Sequence, residues 1–366
     1  MNKLQLPLEL LETYSDRKHE VTAEELERRY EKIRAVLTLS DLNPKKITAV
    51  TGPVITTFRA IQNRKMKISE LRDLASKIEY SLNMKGVTVK TRSGGFDIEI
   101  PNENPSIVSL KDIISSDEFR NTDYRLPLAI GTDVSGKPRI IDLADTPNIL
   151  VGGAVKQGKT TALASMIVSL MYARSTEDVR FVLIDPSMMG LTFMFANLSD
   201  GYLPDLPGFD EKKAVISDTD LAAKILEALC EEMEDRLNGC QNRPNIVVVI
   251  DEYGDLVRPE IKNNEIKTSI IRLAQHGKDV GIHLILSTCR LYVDIVTGLI
   301  KANCPTRIAF RTSSMVDSQT VLDLRGAEKL TGNGDSLYSS GTERQRLQAP
   351  YISLEEASTI CKKGLD

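Results

Sequence analysis

The chain carries the stretch NILVGGAVKQGKTT at residues 148–161, and this stretch decides the fold. An apolar run ends in glycines, and Gly153, Gly158, Lys159 and Thr160 fit the phosphate-binding pattern G-x-x-x-x-G-K-[ST]. Glycines let the backbone curl so that its N–H groups face inward, and the positive end of the next helix points to the same place. The pattern predicts a nucleotide site in which Lys159 reaches the outer phosphates and Thr160 holds Mg²⁺.

The flanks of this stretch favour a phosphate loop over a chance match. Residues 149–151 are typical of a buried strand, and apolar side chains follow at helical spacing from Ala162 to Met171. We expect the loop itself to contact the nucleotide. Its residues are Gly153, Ala154, Val155, Lys156, Gln157, Gly158, Lys159, Thr160 and Thr161.

A second element places two carboxylates after a strand. Residues 246–250 read IVVVI, and Asp251 and Glu252 follow them. Ligands of parallel sheets bind at the carboxyl ends of the strands, so we expect Asp251 to support Mg²⁺ and Glu252 to orient an attacking water. An acidic strand end can also serve only as a helix cap. Together with a phosphate loop, the pair favours hydrolysis of ATP over that alternative and over a kinase reaction, for which no acceptor pocket is identifiable.

Composition sets limits on the class of protein. The chain has 366 residues, is 41% hydrophobic and 27% charged, and has a net charge of -4, which indicates a globular protein without a generally basic surface. It contains no apolar run long enough to span a membrane, and its first residues lack the apolar core of a signal peptide, so we expect a cytoplasmic location. The five cysteines and three histidines form no disulfide or zinc pattern.

The order of predicted elements indicates two domains. Residues 1–120 contain helices and short alternating strands, including a helix after the cap residue Thr22, a helix over Ile68 to Leu82 and a hairpin around residues 93–95. Residues 121–366 alternate apolar strands with helices. The predicted fold class is α/β: a mostly parallel sheet covered on both faces, preceded by a small α+β domain.

Further motifs extend well beyond the phosphate loop. They run in order from residue 52 to residue 335, and they are GPVIT at 52–56, IEIPN at 98–102, IDP at 184–186, DEYGDL at 251–256, RLAQ at 272–275, GIHL at 281–284, VDIVTGLIKAN at 293–303, PTRIAF at 305–310, GAE at 326–328 and GNGD at 332–335.

With these motifs the chain resembles the FtsK/SpoIIIE family of DNA translocases, ring-forming motors with a RecA-like P-loop ATPase core. The resemblance implies double-stranded DNA as a partner, ATP and Mg²⁺ as cofactors, and assembly into a homo-oligomeric ring, expected to be a hexamer, with nucleotide between subunits. It covers both motor subdomains, the alpha and the beta type. No membrane anchor and no C-terminal winged-helix domain are expected in this chain.

Three positions depart from the family pattern. Ser187 stands where the family usually has lysine, Cys289 replaces a glutamine that senses the γ-phosphate, and Gln319 replaces an arginine that could act on a neighbouring subunit. A thiol is a poor hydrogen-bond donor, so the coupling of hydrolysis to movement is in question. We expect Arg307 or Arg311 to substitute as the trans-acting arginine, with Arg325 a further candidate.

The resemblance also implies DNA contacts in the channel of the ring. Arg258, Lys262 and Lys267 follow the acidic strand and could track phosphates, although a solvated surface loop is the simpler interpretation of such charges. The function predicted is therefore an ATP-driven translocase of double-stranded DNA. The alternatives are a related secretion or conjugation motor that moves protein or single-stranded DNA, and a nucleotide-binding assembly module with weak turnover.

Overall fold

The structure is a computed structural model, and it describes residues 4–14, 16, 18–62, 64–146, 148–207, 214–239, 243–258 and 264–363. Two sheets organise this part of the chain, one four-stranded and one ten-stranded. The described helices include none that is long and apolar enough to cross a membrane.

The four-stranded sheet forms the small N-terminal α+β unit. Its strands are antiparallel in the order β1-β2-β4-β3, and α1 and α2 pack on one face around Phe58, Phe96 and Ile98. The predicted helix over Ile68 to Leu82 and the cap at Thr22, which accepts a hydrogen bond from the Glu25 N–H, are both confirmed. The elements are α1 (Ala23–Leu39), β1 (Lys46–Thr51), β2 (Ile55–Ile61), α2 (Ile68–Leu82), β3 (Thr88–Arg92) and β4 (Gly95–Pro101).

The large sheet has a parallel half and an antiparallel half. The strand order is β6-β5-β14-β13-β12-β7-β11-β10-β8-β9; the strands from β12 to β9 are parallel, and those from β6 to β12 pair antiparallel. The strands are β5 (Pro127–Asp133), β6 (Pro138–Asp142), β7 (Ile149–Gly152), β8 (Val179–Ile184), β9 (Val215–Ile216), β10 (Asn245–Ile250), β11 (Ile282–Thr288), β12 (Thr306–Phe310), β13 (Asp335–Ser340) and β14 (Glu343–Gln348).

Helices cover both faces of the large sheet, as the continuous apolar strands predict. Alternate residues of one strand enter different cores, as Ile149 and Val151 do on one side and Leu150 on the other. The helices are α3 (Leu110–Ser115), α4 (Asp117–Arg120), α5 (Lys159–Ala173), α6 (Gly190–Phe195), α7 (Thr219–Leu237), α8 (Tyr253–Leu256), α9 (Asn264–His276), α10 (Gly298–Asn303), α11 (Met315–Leu322) and α12 (Leu354–Lys363).

The segment between the two sheets packs with the large one. Leu110, Ile113 and Phe119 are buried in the same core as α5, and so is Leu11 near the N-terminus. These residues all fall within residues 1–120, the predicted first domain. The division of the chain at residue 120 stays a prediction.

Candidate active site

The phosphate loop connects β7 to α5 at the carboxyl edge of the parallel strands. Gly153 and Gly158 have φ of 156° and 110°, and Gly158 is the N-cap of α5. A Cβ on Gly153 would lie 2.7 Å from Cβ of Phe310, so only glycine allows this approach to β12. The Ala154 N–H donates to the carbonyl of Arg311 at 2.8 Å. The loop is thus anchored on the end of the neighbouring strand.

Lys159 lies at the base of this loop and is 5% exposed. Its Nζ donates to the carbonyl of Ala154 at 3.2 Å and lies 3.6 Å from Oε1 of Glu252. The ammonium therefore stands between the loop backbone and the second carboxylate of the acidic pair. Because it is buried, its charge acts on anything bound in the loop with little screening by water.

Thr160 and Asp251, the two residues predicted to hold Mg²⁺, are in direct contact. The Thr160 hydroxyl donates to Oδ2 of Asp251 at 2.7 Å, and the Ser287 hydroxyl donates to Oδ1 at 2.9 Å. Burial raises the pKa of Asp251, the Glu252 and Asp185 carboxylates act in the same direction, and the two hydroxyl donors oppose them. A cation beside these oxygens would relieve the cost of keeping the carboxylate ionised in a buried place.

The donor set fits Mg²⁺ with most ligands supplied from outside the protein. The described residues contain no group of three or more His, Cys, Asp or Glu side chains that could hold a metal by themselves. Mg²⁺ is usually held by one or two carboxylates together with phosphate oxygens and water. One hydroxyl and one carboxylate beside a phosphate loop are consistent with that arrangement.

Glu252 is held in an uncommon backbone conformation, with φ of 54° and ψ of 47°. The backbone N–H of Cys289, at the end of β11, donates to Oε2 of Glu252 at 2.9 Å. Burial and the neighbouring Glu252 carboxylate raise the pKa of the Cys289 thiol to about 11, so the thiol stays protonated at neutral pH. The backbone of this position thus orients Glu252 whatever side chain the position carries.

A cleft of about 880 Å³ opens beside these groups. Its lining includes the phosphate loop, Asp251 and Glu252, and its size is within the usual range of small-molecule sites. The lining also includes apolar side chains from the small unit, the segment between the sheets and the residues after β14. These are Val54, Ile107, Val108, Ala349, Pro350 and Tyr351.

Asp185 lies near the cleft and was not assigned a role from the sequence. Asp185, fully buried at the end of β8, accepts hydrogen bonds from Ser187 at 2.6 Å and from the N–H and hydroxyl of Thr192 at 3.1 and 2.9 Å. Ser187, in the place of the family's lysine, therefore binds Asp185. The Asp-Pro motif was the available signal for Asp185, because it ends a strand of the parallel half.

The turn at residues 331–335 also lies at the cleft. The Gly334 N–H donates to the carbonyl of Gln157 at 3.0 Å, and Thr331, Gly332, Asn333 and Gly334 line the cleft. The motif GNGD marked this turn in the sequence without indicating its contact with the phosphate loop.

The two candidate trans-acting arginines occupy different places. Arg307, at the amino end of β12, donates to the carbonyls of Cys304, Val321 and Lys301 and pairs with Asp323. The structure does not bring Arg307 to the phosphate loop of its own chain. Arg311 is exposed at the opposite end of β12, and its carbonyl accepts the Ala154 N–H described above.

The proposed DNA-contacting residues lie beyond β10. Arg258 donates to Asp255 at 2.6 Å, and Arg290 donates to the same oxygen. Burial would raise the pKa of Asp255, but these two guanidinium groups hold it below its usual value. Lys267 is half-buried on α9, and Lys262 lies outside the described residues.

Known proteins match this chain over nearly its whole length. The model of the FtsK alpha domain matches residues 6–102, and that of the FtsK/SpoIIIE family matches residues 109–242. DNA translocase FtsK of Haemophilus influenzae is 32% identical over 401 residues, covering 96% of this chain and 73% of that protein. The chain belongs to the FtsK/SpoIIIE family.

Other FtsK/SpoIIIE relatives extend beyond the region matched by this chain. DNA translocase FtsK of Chlorobaculum tepidum is 34% identical and matches 98% of the chain, and DNA translocase SftA of Bacillus subtilis is 36% identical and matches 88%. The match covers only 46% of the first of these relatives and 36% of the second.

Solved structures agree with the fold. The pCW3 conjugation coupling protein TcpA, in a monomer form with ATPγS, superposes with a TM-score of 0.61 at 20% identity, covering 92% of this chain and 99% of that one. The type VII secretion ATPase EccC of Thermomonospora curvata gives 0.55 at 21% identity, covering 71% and 34%. These similarities support the predicted α/β ATPase fold.

Proposed function

We propose that this chain is the motor part of an ATP-driven translocase of double-stranded DNA. The observation that carries the proposal is the meeting of Lys159, Thr160, Asp251 and Glu252 at one edge of the parallel strands, in a chain of the FtsK/SpoIIIE family. Relatives at 32–36% identity are named DNA translocases. ATP and Mg²⁺ are the proposed cofactors.

The phosphates of ATP are bound by the loop from Gly153 to Thr161, with Lys159 on the outer phosphates. Thr160 and Asp251 hold Mg²⁺, which supplies charge neutralisation at the phosphates when it is bound. The base would pack against apolar side chains of the cleft such as Tyr351. Val54 of the small unit also lines the cleft, so bound nucleotide would touch both parts of the chain.

Glu252 positions the attacking water in this proposal. Its carboxylate is held on one side by the Cys289 N–H and faces Lys159 on the other. A carboxylate fixed by this donor and facing the ammonium can accept a hydrogen bond from water and polarise it toward the terminal phosphate. The side chain of Cys289 replaces the family's glutamine, so hydrolysis depends here on Glu252 and not on a sensing amide at position 289.

The decisive experiment measures ATP hydrolysis with and without duplex DNA, for the wild type and for Glu252→Gln. Strong stimulation by the duplex is expected, with a loss of about 10²-fold or more in Glu252→Gln, because the amide cannot orient and polarise water as the carboxylate does. Nucleotide binding should persist in that variant. Turnover that is insensitive to DNA would favour the secretion or conjugation motor, and binding without turnover would favour the assembly module.

A ring, with six subunits as the expected number, places nucleotide between neighbours and calls for an arginine from the adjacent chain. Mixing wild-type chains with Arg307→Ala or with Arg311→Ala chains tests this. If the arginine acts in trans, a minority of variant chains should reduce hydrolysis more than in proportion to their share. A strictly proportional loss for both variants would leave neither position as the trans-acting group. The cytoplasmic location belongs to the same proposal, and cell fractionation tests it.

A further inference from the structure

The turn at residues 331–335, called here the linking turn, is pressed against the phosphate loop. Besides the hydrogen bond from Gly334 to Gln157, the two backbones are in close contact, because a Cβ on Gly158 would lie 3.1 Å from both N and Cα of Gly334. A Cβ on Gly332 would lie 2.6 Å from Oε1 of Gln157. A shift of the phosphate loop therefore requires a shift of the linking turn.

The other side of the linking turn touches the small unit. Gly86, between α2 and β3, has φ of 85°, and a Cβ there would lie 3.0 Å from Cγ2 of Thr331 and 3.4 Å from the carbonyl of Lys329. The positive φ favours glycine at position 86, and this part of the small unit is in van der Waals contact with the linking turn. The linking turn thus lies between the nucleotide site and the small unit.

Asp335 and Arg346 hold the linking turn in shape. Oδ2 of Asp335 accepts hydrogen bonds from the N–H and hydroxyl of Thr331 at 2.8 and 2.9 Å. Arg346, on β14, donates to both oxygens of Asp335, from Nε at 2.9 Å and from Nη2 at 2.7 Å. Both side chains are almost fully buried, so the pair has no competing water and its geometry is well defined.

Arg346 also reaches the small unit. Its Nη1 lies 3.4 Å from Oε2 of Glu99, on β4, and 3.4 Å from the carbonyl of Gly86. Glu99 accepts further hydrogen bonds from Thr88 and Lys90, each at 2.7 Å. Burial would raise the pKa of Glu99, but Lys90 and Arg346 hold it below its usual value, so the carboxylate is ionised at neutral pH.

We propose that Arg346 is a positioning residue that joins the linking turn to Glu99, so that nucleotide bound at the phosphate loop alters the small unit. This inference rests on the proposed function, in that the loop must bind nucleotide. A buried ion pair adds little stability over apolar residues of equal volume, whereas its directed hydrogen bonds fix the relative positions of the groups it joins. Such a contiguous, buried set of contacts is suited to carry a coupling between two sites.

The test compares amide hydrogen exchange with and without a slowly hydrolysed ATP analogue and Mg²⁺, in the full chain. In the wild type the analogue should slow exchange in the phosphate loop and, by at least about five-fold, in the slowest amides of β3 and β4. Glu99→Gln removes the charge on the small-unit side and leaves the Asp335–Arg346 pair in place. It should keep the protection of the loop and reduce that of β3 and β4 to less than about two-fold.

Asp97→Asn is the matched control. Asp97 lies two positions from Glu99 on the same face of β4, and it pairs with Arg92 inside the small unit at 2.9 Å. This variant should behave as the wild type. Arg346→Lys is the second test variant, because it keeps the charge but loses the paired donors, and it should also lose protection in β3 and β4.

Several outcomes overturn the inference. One is protection of the loop without protection of β3 and β4 in the wild type. Another is full protection of these strands in both Glu99→Gln and Arg346→Lys, and a third is an equal loss in Asp97→Asn. If the analogue does not protect even the phosphate loop of the wild type, nucleotide binding itself is refuted, and the inference fails with it.

Discussion

The two halves of the large sheet contribute to the site in different ways. In the parallel half, the strand interiors are mostly apolar, with His283 on β11 an exception, and polar groups meet at the carboxyl ends, where Thr160, Asp251 and Ser287 are in contact. In the antiparallel half, polar side chains lie within the strands themselves, and Asp335 and Arg346 form a buried ion pair. The parallel half holds the groups expected to perform chemistry. The antiparallel half holds the backbone against which the phosphate loop rests.

The two halves therefore differ in the roles expected of their polar residues: catalysis in the parallel half, and contact between the phosphate loop and the small unit in the antiparallel half. A residue at the end of a parallel strand can change without disturbing the core, because the strand interior provides the stability. Asp335 on β13 and Arg346 on β14 cannot, because their charges are buried and must remain paired. We therefore expect substitutions in the first group to reduce turnover and substitutions in the second to reduce stability and the coupling between domains.

The largest expected loss of stability follows Arg346→Met. Removing this guanidinium leaves the carboxylates of Asp335 and Glu99 buried without a shared partner, which should lower the free energy of unfolding by about 3–5 kcal/mol. Urea unfolding followed by circular dichroism measures the change. The matched variant Arg92→Met removes a half-exposed pair with Asp97 and should cost less than about 1 kcal/mol. Equal losses of stability in Arg346→Met and Arg92→Met would mean that the buried ion pair matters no more to stability than the half-exposed one.

A second prediction concerns acid sensitivity in the parallel half. His283, on β11, is 1% exposed, and neither ring nitrogen has a hydrogen-bond partner among the described residues. Burial lowers its pKa to about 4, Arg125 and Arg236 act in the same direction, and Asp142 opposes them. Because the unfolded value is higher, the neutral ring contributes stability that is complete above about pH 6.5 and is lost as the pH falls toward 4.

The variant His283→Leu removes this titration and serves as the comparison. Between pH 7 and pH 5 the wild type should lose about 2 kcal/mol more free energy of unfolding than the variant. Urea midpoints at the two pH values provide the measurement. Parallel curves for the two proteins would mean that the buried histidine does not contribute to acid sensitivity.

The smallest expected effect concerns DNA contact beyond β10. The double variant Arg258→Ala with Lys267→Ala should weaken duplex binding by about 1 kcal/mol without changing sequence preference. The slope of log K against log salt concentration should fall by the amount expected for about one to two lost phosphate contacts. The effect is small because Arg258 is already paired with Asp255. Binding measured over a range of salt concentrations tests it. An unchanged salt slope would assign these residues to a solvated surface.

Much of the parallel half could be predicted from the sequence because its signals are local. Apolar runs gave β8, β10 and β11, and the glycine pattern with Lys159 and Thr160 located the phosphate loop. The spacing of Asp251 and Glu252 after a strand placed them at the same edge. Thr160 and Asp251 lie within hydrogen-bond distance at that edge, at 2.7 Å, and their sharing of a metal ion stays a prediction.

Within the antiparallel half, the hairpin of β5 and β6 and the strand β12 follow from apolar runs, but β13 and β14 were not predicted, for a physical reason. The strands β13 and β14 read DSLYSS and ERQRLQ, which lack the apolar alternation that marks a strand. Their polar groups are satisfied by partners distant in sequence, such as Glu99 for Arg346. The contact made by Cys289 could not be predicted from the sequence either. Its backbone N–H donates to Glu252, and a backbone contact does not depend on which side chain the residue carries.

The strand order has a consequence for how this chain folds. β14 lies between β13 and β5, so the hairpin formed by β5 and β6 joins the large sheet only through a strand synthesised more than two hundred residues later. Until β13 and β14 emerge, the edges of β12 and β5 are unpaired, and unpaired strand edges promote aggregation. The hairpin of β13 and β14 therefore completes the large sheet last. Variants that slow its docking should reduce the yield of native protein even where the active site is unaltered.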